Sequence, residues 1–300
     1  MTSVGFIGVG VMGTPMAHNL VKKGFDVTLY DEKPGRAAEV AKEFGCKAAQ
    51  SLDGLEGCAF IVTMLPDGKV VQEVLTRAQQ QSLIKSCKRG TVFIDMSSSE
   101  PTLTRATGAE LAKHGLILVD APVSGARMRA ETGTLAIMIG ASDPALIERV
   151  RPILSAMGNQ LFVLGGLGNG HAMKAVNNII AGTSMIAVAE GLAVGEEFGL
   201  DPKTIIDVLN ASTGRGFVTE FVAKEHVITG KFATGFALGL LAKDVRIAAD
   251  LSEDVKLDAP LFRLVRERFA MARDREGAGA DSARAFVAVK EFAKKPKKEH

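Results

Sequence analysis

From Val4 to about Val163 the chain alternates short β-branched apolar runs with stretches of helical period. Residues 4–8, 26–30, 59–63, 91–95, 117–120, 135–139 and 160–163 read as strands, and helical material separates most of them. Parallel strands need crossover connections, so this rhythm predicts a mainly parallel, doubly wound α/β sheet. After the cluster Gly165-Gly166-Leu167-Gly168-Asn169-Gly170 the character changes. No further strand signal appears, and the period is helical to the end. The stretch 172–198 predicts one long helix of about 40 Å, at about 1.5 Å per residue. Asp201-Pro202 opens the next helix, with Asp as N-cap and Pro at the first position. Later helices are predicted over 203–211, 218–229, 238–251, 259–272 and 282–293. The expected organisation is a sheet domain, 1–164, followed by an all-helical domain, 165–300, joined by the long helix.

Composition narrows the function classes. The 300 residues suffice for two cores, and the apolar fraction of 47% is ordinary for a globular chain. A net charge of +2 argues against dedicated nucleic-acid binding, which needs a basic stripe. The one basic cluster, Lys294-Lys295-Pro296-Lys297-Lys298, reads as a solvated tail. Cys46, Cys58 and Cys87 are not spaced as metal ligands and fit inert thiols in a reducing compartment. The five histidines are scattered, so no metal site is expected. The run 179–194 is broken by Gly182, Thr183, Ser184, Glu190 and Gly191, which reads as too short and too polar for a membrane span. No signal peptide is visible ahead of the first strand, and the expected location is the cytoplasm.

Gly8-Val9-Gly10-Val11-Met12-Gly13 lies between the first strand and a helix through Ala17, Leu20 and Val21. Gly8 allows the tight turn, Gly10 lets the backbone approach a pyrophosphate, and Gly13 lets helix and strand pack closely. The helix N-terminus supplies N–H donors to the phosphates. Asp31, at the end of the second strand, can accept hydrogen bonds from the adenine-ribose hydroxyls. A carboxylate there repels a 2′-phosphate, so NAD is the expected cofactor and NADP the alternative. Lys33 and Arg36, close behind, read as solvated but would soften that preference. The first domain is therefore of Rossmann type.

A second constellation lies in the long helix. Lys174, Asn177 and Asn178 interrupt an apolar, small-residue run, and their spacing of three and four places them on one helix face. An ammonium and two amides cost several kcal/mol to bury without partners. A cation flanked by amide dipoles suits a small polar substrate that exchanges a proton. The bland alternative is a lysine reaching back to water beside locally bonded asparagines.

Four ordered motifs together resemble the β-hydroxyacid dehydrogenase family, which includes 3-hydroxyisobutyrate dehydrogenase and tartronate semialdehyde reductase. They are the glycine fingerprint extended through Met16, Ala17, Asn19 and Leu20; Asp120-Ala121-Pro122-Val123-Ser124-Gly125; Gly168-Asn169-Gly170 with Lys174 and Asn178; and Lys243-Asp244. The resemblance spans essentially the whole chain. It implies that Lys174 is the catalytic acid/base, with Asn178 holding the substrate beside it. Ser124, Gly125 and the adjoining Ala126 would bind the substrate, its carboxylate on the Ser124 hydroxyl and Gly125 N–H. Gly8, Gly10, Met12, Gly13, Asp31, Leu65, Pro66, Ser98 and Lys243 would line the cofactor, with Ser98 standing where threonine is usual. Met12 and Met16 also fit packing behind the phosphate turn.

The expected activity is NAD-dependent hydride transfer on a short β-hydroxy acid or its semialdehyde, of the 3-hydroxyisobutyrate or glycerate/tartronate semialdehyde kind. When hydride leaves the carbinol carbon the hydroxyl proton must leave too, and a lysine beside a positive nicotinamide ring suits that transfer. Lys174 argues against imine reduction, because imine reductases of similar architecture carry another residue there. Ala126 stands where the family usually has a second glycine, and Arg127 and Arg129 follow. These two, or Arg215, would bind a second anionic group on a larger dianionic substrate, unless they are simply solvated. A non-catalytic dinucleotide-binding module is the remaining alternative. The long helix is apolar on most faces, which predicts a homodimer or homotetramer.

Overall fold

A computed structural model describes residues 1–76 and 83–293, so the basic cluster 294–298 lies outside the described residues. The chain divides into two compact units, Met1–Lys174 and the part from Ala175 onward.

The first unit holds a six-stranded parallel sheet. Its strands are β1 (Ser3–Ile7), β2 (Asp26–Tyr30), β3 (Lys47–Ala48), β4 (Phe60–Thr63), β5 (Val92–Asp95) and β6 (Ile117–Asp120), in the order β3-β2-β1-β4-β5-β6. Side chains along a strand point alternately to its two faces. Here both faces are buried: Val62, Ile94 and Val119 enter one core layer, while Ile61, Phe93 and Leu118 enter the other. That explains why these strands read as continuous apolar runs. The register sets Ile7 opposite Thr63, Thr63 opposite Asp95, and Asp95 opposite Asp120. The strands β1, β4, β5 and β6 thus end level, and three of their last residues are polar.

The remaining strands differ from the simple alternating series. β7 (Val123–Ser124), β8 (Leu135–Ile139) and β9 (Gly158–Val163) form a separate three-stranded sheet in which β7 runs antiparallel to β8. An antiparallel bridge between Asp120 and Gly140 links the two sheets. β3 and β7, two residues each, are too short to leave a periodic signal. Residues Ala126–Thr132 form a short helix between β7 and β8.

The second unit is helical. It comprises the long helix Asn169–Phe198, whose first turns belong to the first unit, followed by Pro202–Asn210, a π-helix Val218–Val227, Leu238–Asp254, Pro260–Glu276, a 3₁₀ turn Ser282–Arg284 and Ala285–Phe292. Asp201 caps its helix by accepting the Thr204 N–H at 2.8 Å. Asp281 likewise accepts the Ala283 N–H at 3.0 Å. The long helix begins three residues earlier than its apolar period indicates. It has 30 residues and an 18-residue window of mean hydropathy 1.4, long and apolar enough to cross a membrane by length and composition alone. Much of that apolarity goes into the second core, where Ala175, Ile179, Met185, Ile186, Ala189 and Leu192 are buried.

The small residues of this helix separate by environment. A Cβ on Gly182 would stand 2.9 Å from Val245 Cγ2 and 3.1 Å from Phe269 Cε2, whereas one on Gly191 would meet nothing within 4 Å. Gly182→Val should therefore lower unfolding stability by about 1–3 kcal/mol through overpacking. Gly191→Ala should raise it by about 0.5–1 kcal/mol through helix propensity. Denaturant titration of the two variants checks both signs.

Candidate active site

The three fingerprint glycines answer to different constraints. Gly8 has φ +94°, and a Cβ there would run into the Met64 carbonyl. A Cβ on Gly13 would run into the Gly8 carbonyl. Both are dictated by the chain's own packing. Gly10 is exposed, and a Cβ on it would meet nothing within 4 Å. Protein packing leaves its missing side chain unexplained, whereas a phosphate approaching the N-terminus of helix Gly13–Lys22 accounts for it. The residues present therefore fit a dinucleotide. Thr14 pins the turn, its hydroxyl donating to the Val9 carbonyl at 2.7 Å.

Asp31 follows β2 and is aimed by two backbone donors, Val9 N–H and Lys33 N–H, both at 2.9 Å. Arg36 is not merely solvated. Its guanidinium donates to the Val9 carbonyl and the Thr14 hydroxyl, both at 3.2 Å, and so buttresses the glycine turn. Leu65 follows β4, and its N–H donates to Ser97 Oγ at 2.9 Å. Pro66 beside it is exposed, and Ser98, after β5, is half-buried. Met12 is partly buried and packs against the first core.

Ser124 ends β7 and is half-buried. Gly125 has φ +136°, and Ala126 keeps a left-handed φ of +53° despite its side chain. The backbone thus retains a glycine-like conformation at a residue that costs more to hold there. Arg127 and Arg215 are exposed and paired with Glu131 at 2.7 Å and Glu220 at 2.6 Å. Arg129 packs directly across Gly125 instead; a Cβ on that glycine would lie 2.5 Å from Arg129 Cδ. Buried Asn19 donates to the Ala130 carbonyl at 2.6 Å, tying the nucleotide-side helix to the helix that follows Ser124.

The level strand ends carry a fully buried polar row, Thr63, Asp95 and Asp120. Asp95 accepts hydrogen bonds from the Thr63 hydroxyl at 2.9 Å, the Ser97 N–H at 3.0 Å and the Ser99 hydroxyl at 2.8 Å. Asp120 accepts the Gly168 N–H at 2.7 Å on one oxygen and the His171 N–H at 2.8 Å on the other. These donors belong to the unsatisfied first turn of the long helix. A carboxylate from β6 therefore caps it, which is why it starts at Asn169. Burial pushes the Asp120 carboxyl above its ordinary range, while His171 and the two N–H groups pull it back. Lys174, half-buried, stands on the next turn.

In the second unit, buried Asn178 donates to Asp244 at 2.6 Å and accepts the Asn177 amide at 3.0 Å. Lys243 Nζ lies 2.8 Å from the other Asp244 oxygen. Asp244 thus orients both residues. Asn178 follows Lys174 by one helical turn on the same helix.

Asn19, Asp95, His171 and Asp244 take roles here that the sequence pattern does not by itself assign. Asp95 and Asp244 carried a signal, as polar residues at strand-end or helix positions otherwise apolar. His18 stacks on Phe44 with ring centroids 4.1 Å apart, and His114 ends its helix 3.9 Å from Glu110. Burial raises all three thiols, Cys87 to about 12, and so keeps them unreactive. Among the described residues no group of three metal-ligating side chains stands together.

Comparison with known proteins agrees with this architecture. Residues 3–165 match the model of the NAD binding domain of 6-phosphogluconate dehydrogenase, and residues 168–289 that of the NAD-binding region of NADP-dependent 3-hydroxyisobutyrate dehydrogenase. The chain is 35% identical to 2-(hydroxymethyl)glutarate dehydrogenase of Eubacterium barkeri, over 95% of this chain and 94% of that one. It is 33% identical to the mitochondrial 3-hydroxyisobutyrate dehydrogenase of Rattus norvegicus, over 97% and 88%. A structure of Mycobacterium tuberculosis 3-hydroxyisobutyrate dehydrogenase with L-serine superposes with TM-score 0.87 at 29% identity, covering 98% of this chain and all of the other. The chain belongs to the β-hydroxyacid dehydrogenase family of NAD-dependent oxidoreductases.

The glycines separate folding from binding. Gly10→Ala should leave thermal stability unchanged while weakening NADH binding by roughly tenfold or more, read by fluorescence titration. Gly13→Ala should lower stability by about 1–3 kcal/mol through the clash with Gly8.

Proposed function

We propose that the protein oxidises a short β-hydroxy acid to its semialdehyde, or runs the reverse, with Lys174 as general acid/base. The observation that carries this reading is the placement of Lys174. It is a half-buried cation one turn into a helix capped by Asp120, at the strand-end edge where open α/β sheets take their ligands. Bound NAD supplies the hydride acceptor, and NADH the donor. The rest falls to the chain. Ser124 and the Gly125 N–H hold the substrate carboxylate, which fixes the reacting carbon. In oxidation the Lys174 amine takes the hydroxyl proton as the carbon–oxygen double bond forms; in reduction its ammonium returns a proton to the carbonyl oxygen. Asn178, itself oriented by Asp244, holds the same oxygen region. Leu65, Pro66, Ser98 and Lys243 line the cofactor. The sheet-bearing part, 1–164, serves the dinucleotide, while the helical part, 165–300, completes the substrate side and joins subunits into a homo-oligomer.

Lys174→Ala should lower kcat by about 100- to 10,000-fold, the usual contribution of a positioned acid/base. NADH binding, which requires the glycine turn and Asp31, should change little. An active Lys174→Ala variant would refute this role.

Arg129 favours a dianionic substrate as the second reading. Of the three arginines it alone packs on the Ser124–Gly125 turn, and the Eubacterium barkeri relative is named for a hydroxy acid with two carboxylates. Arg129→Ala should then cut kcat/KM for 2-(hydroxymethyl)glutarate by roughly tenfold or more, the worth of a charge-assisted hydrogen bond. Activity on 3-hydroxyisobutyrate should be nearly unchanged, and Arg127→Ala should not alter the ratio. An equal loss on both acids would remove Arg129 from specificity.

A further inference from the structure

His171 precedes Lys174 by three residues and is completely buried. Its ring lies between two carboxylates on neighbouring strands, with Nε2 3.6 Å from Asp95 Oδ2 and Nδ1 3.7 Å from Asp120 Oδ2. Nε2 is 3.2 Å from the Ser97 carbonyl, an acceptor only, so this nitrogen carries a proton in that contact. Nδ1 is 2.8 Å from the Thr104 hydroxyl. Both ring nitrogens are therefore held, each by a different element. The ring cannot turn without breaking one of these contacts inside a buried site, where an unmade hydrogen bond is expensive.

The backbone of the same segment is equally constrained. The Asp120 carboxylate takes the Gly168 and His171 N–H groups. A Cβ on Gly170 would run into the Met138 carbonyl and stand 2.8 Å from Asp120 Oδ2. The helix start is thus seated against β6 and β8 with no spare room. The ring bridges the two buried carboxylates and so joins the helix to both strand ends. None of these groups has a part in the chemistry proposed for Lys174.

We propose that His171, clasped between Asp95 and Asp120, is a positioning residue that sets the rotation and height of the helix turn bearing Lys174. The proposal rests on the acid/base reading of Lys174. Among the described residues the hydrogen bonds and ion pairs of His171 run to Ser97, Thr104, Asp95 and Asp120 and not to the glycine turn or Asp31, so loss of its ring displaces the proton-transfer group more than the dinucleotide-binding turn. A displacement of about 1 Å at a reacting group costs on the order of 100-fold in rate.

The test measures kcat, KM and NADH affinity in the full chain for His171→Phe, His171→Gln and Lys174→Ala. The substrate is whichever of 3-hydroxyisobutyrate, 2-(hydroxymethyl)glutarate and glycerate gives the highest wild-type rate. H171F should lose roughly 10- to 100-fold in kcat, with NADH affinity and the hydroxy-acid KM within about threefold of wild type. H171Q, which keeps a donor and an acceptor, should recover most of the rate. Wild-type kcat in H171F overturns the proposal. So does a loss of NADH affinity matching the loss of rate without recovery in H171Q, which marks a purely structural role. If H171F does not fold, Thr104→Val carries the test by removing only the hydroxyl at Nδ1. A kcat lowered about three- to tenfold with NADH affinity kept supports the proposal, and unchanged kcat overturns it. Full activity of K174A would instead sink the underlying reading, whatever the His171 variants do.

Discussion

The carboxylate of Asp120 is the joint on which the nucleotide-binding unit depends. It closes β6, lies fully buried, and receives both the Gly168 and His171 N–H groups. One side chain thereby resolves two problems. A helix of 30 residues begins with unsatisfied donors and a positive dipole end. A buried carboxylate needs hydrogen bonds or a counter-charge. Each supplies what the other lacks, and the result places the first turn of the long helix on the strand-end edge. Gly140 and Gly170 are glycines for the same reason, since a Cβ on either would strike Asp120 or its neighbour Met138.

This joint gives the motif Gly168-Asn169-Gly170 a structural meaning. It resembles a catalytic signature, yet its glycines serve close approach and the backbone amides that Asp120 caps. The Asn169 side chain secures the turn, accepting from Arg105 at 3.0 Å and donating to the Leu164 carbonyl at 2.8 Å. The acid/base chemistry proposed here falls to Lys174, one turn on. The glycine fingerprint divides similarly. Gly8 and Gly13 answer to packing, whereas the protein's own packing makes no demand for a glycine at Gly10. In both segments a family signature mixes residues that fold the chain with residues that its packing does not require.

Much of the architecture was legible because its signals are local. Strands β1, β4, β5 and β6 are apolar runs buried on both faces, β2 alternates buried Val27 and Leu29 with half-buried neighbours, and Asp201-Pro202 announces its own helix. What escaped was non-local. β3 and β7 have two residues each and no period. The separate sheet of β7, β8 and β9 depends on pairing that no window of sequence displays. The helix started early because its cap comes from residue 120, far away in sequence. His171 looked unremarkable in a chain of scattered histidines, since its partners Asp95, Ser97 and Thr104 lie 67 to 76 residues distant along the chain. Arg127, Arg129 and Arg215 were equivalent as letters. Only the fold separates the pair held by glutamates from the one lying on Gly125.

The reaction proposed for this scaffold is hydride exchange between NAD and a β-hydroxy acid. The most direct measurement is the initial rate of NADH formation by the purified protein with 3-hydroxyisobutyrate, glycerate, 4-hydroxybutyrate, threonate, serine and 2-(hydroxymethyl)glutarate, repeated with NADP. Saturable reduction of NAD is expected with at least one β-hydroxy acid, with a weaker rate with NADP and none with 4-hydroxybutyrate, whose hydroxyl is one carbon too far from the carboxylate. Absence of turnover with every acid, in both directions and with both dinucleotides, would contradict it.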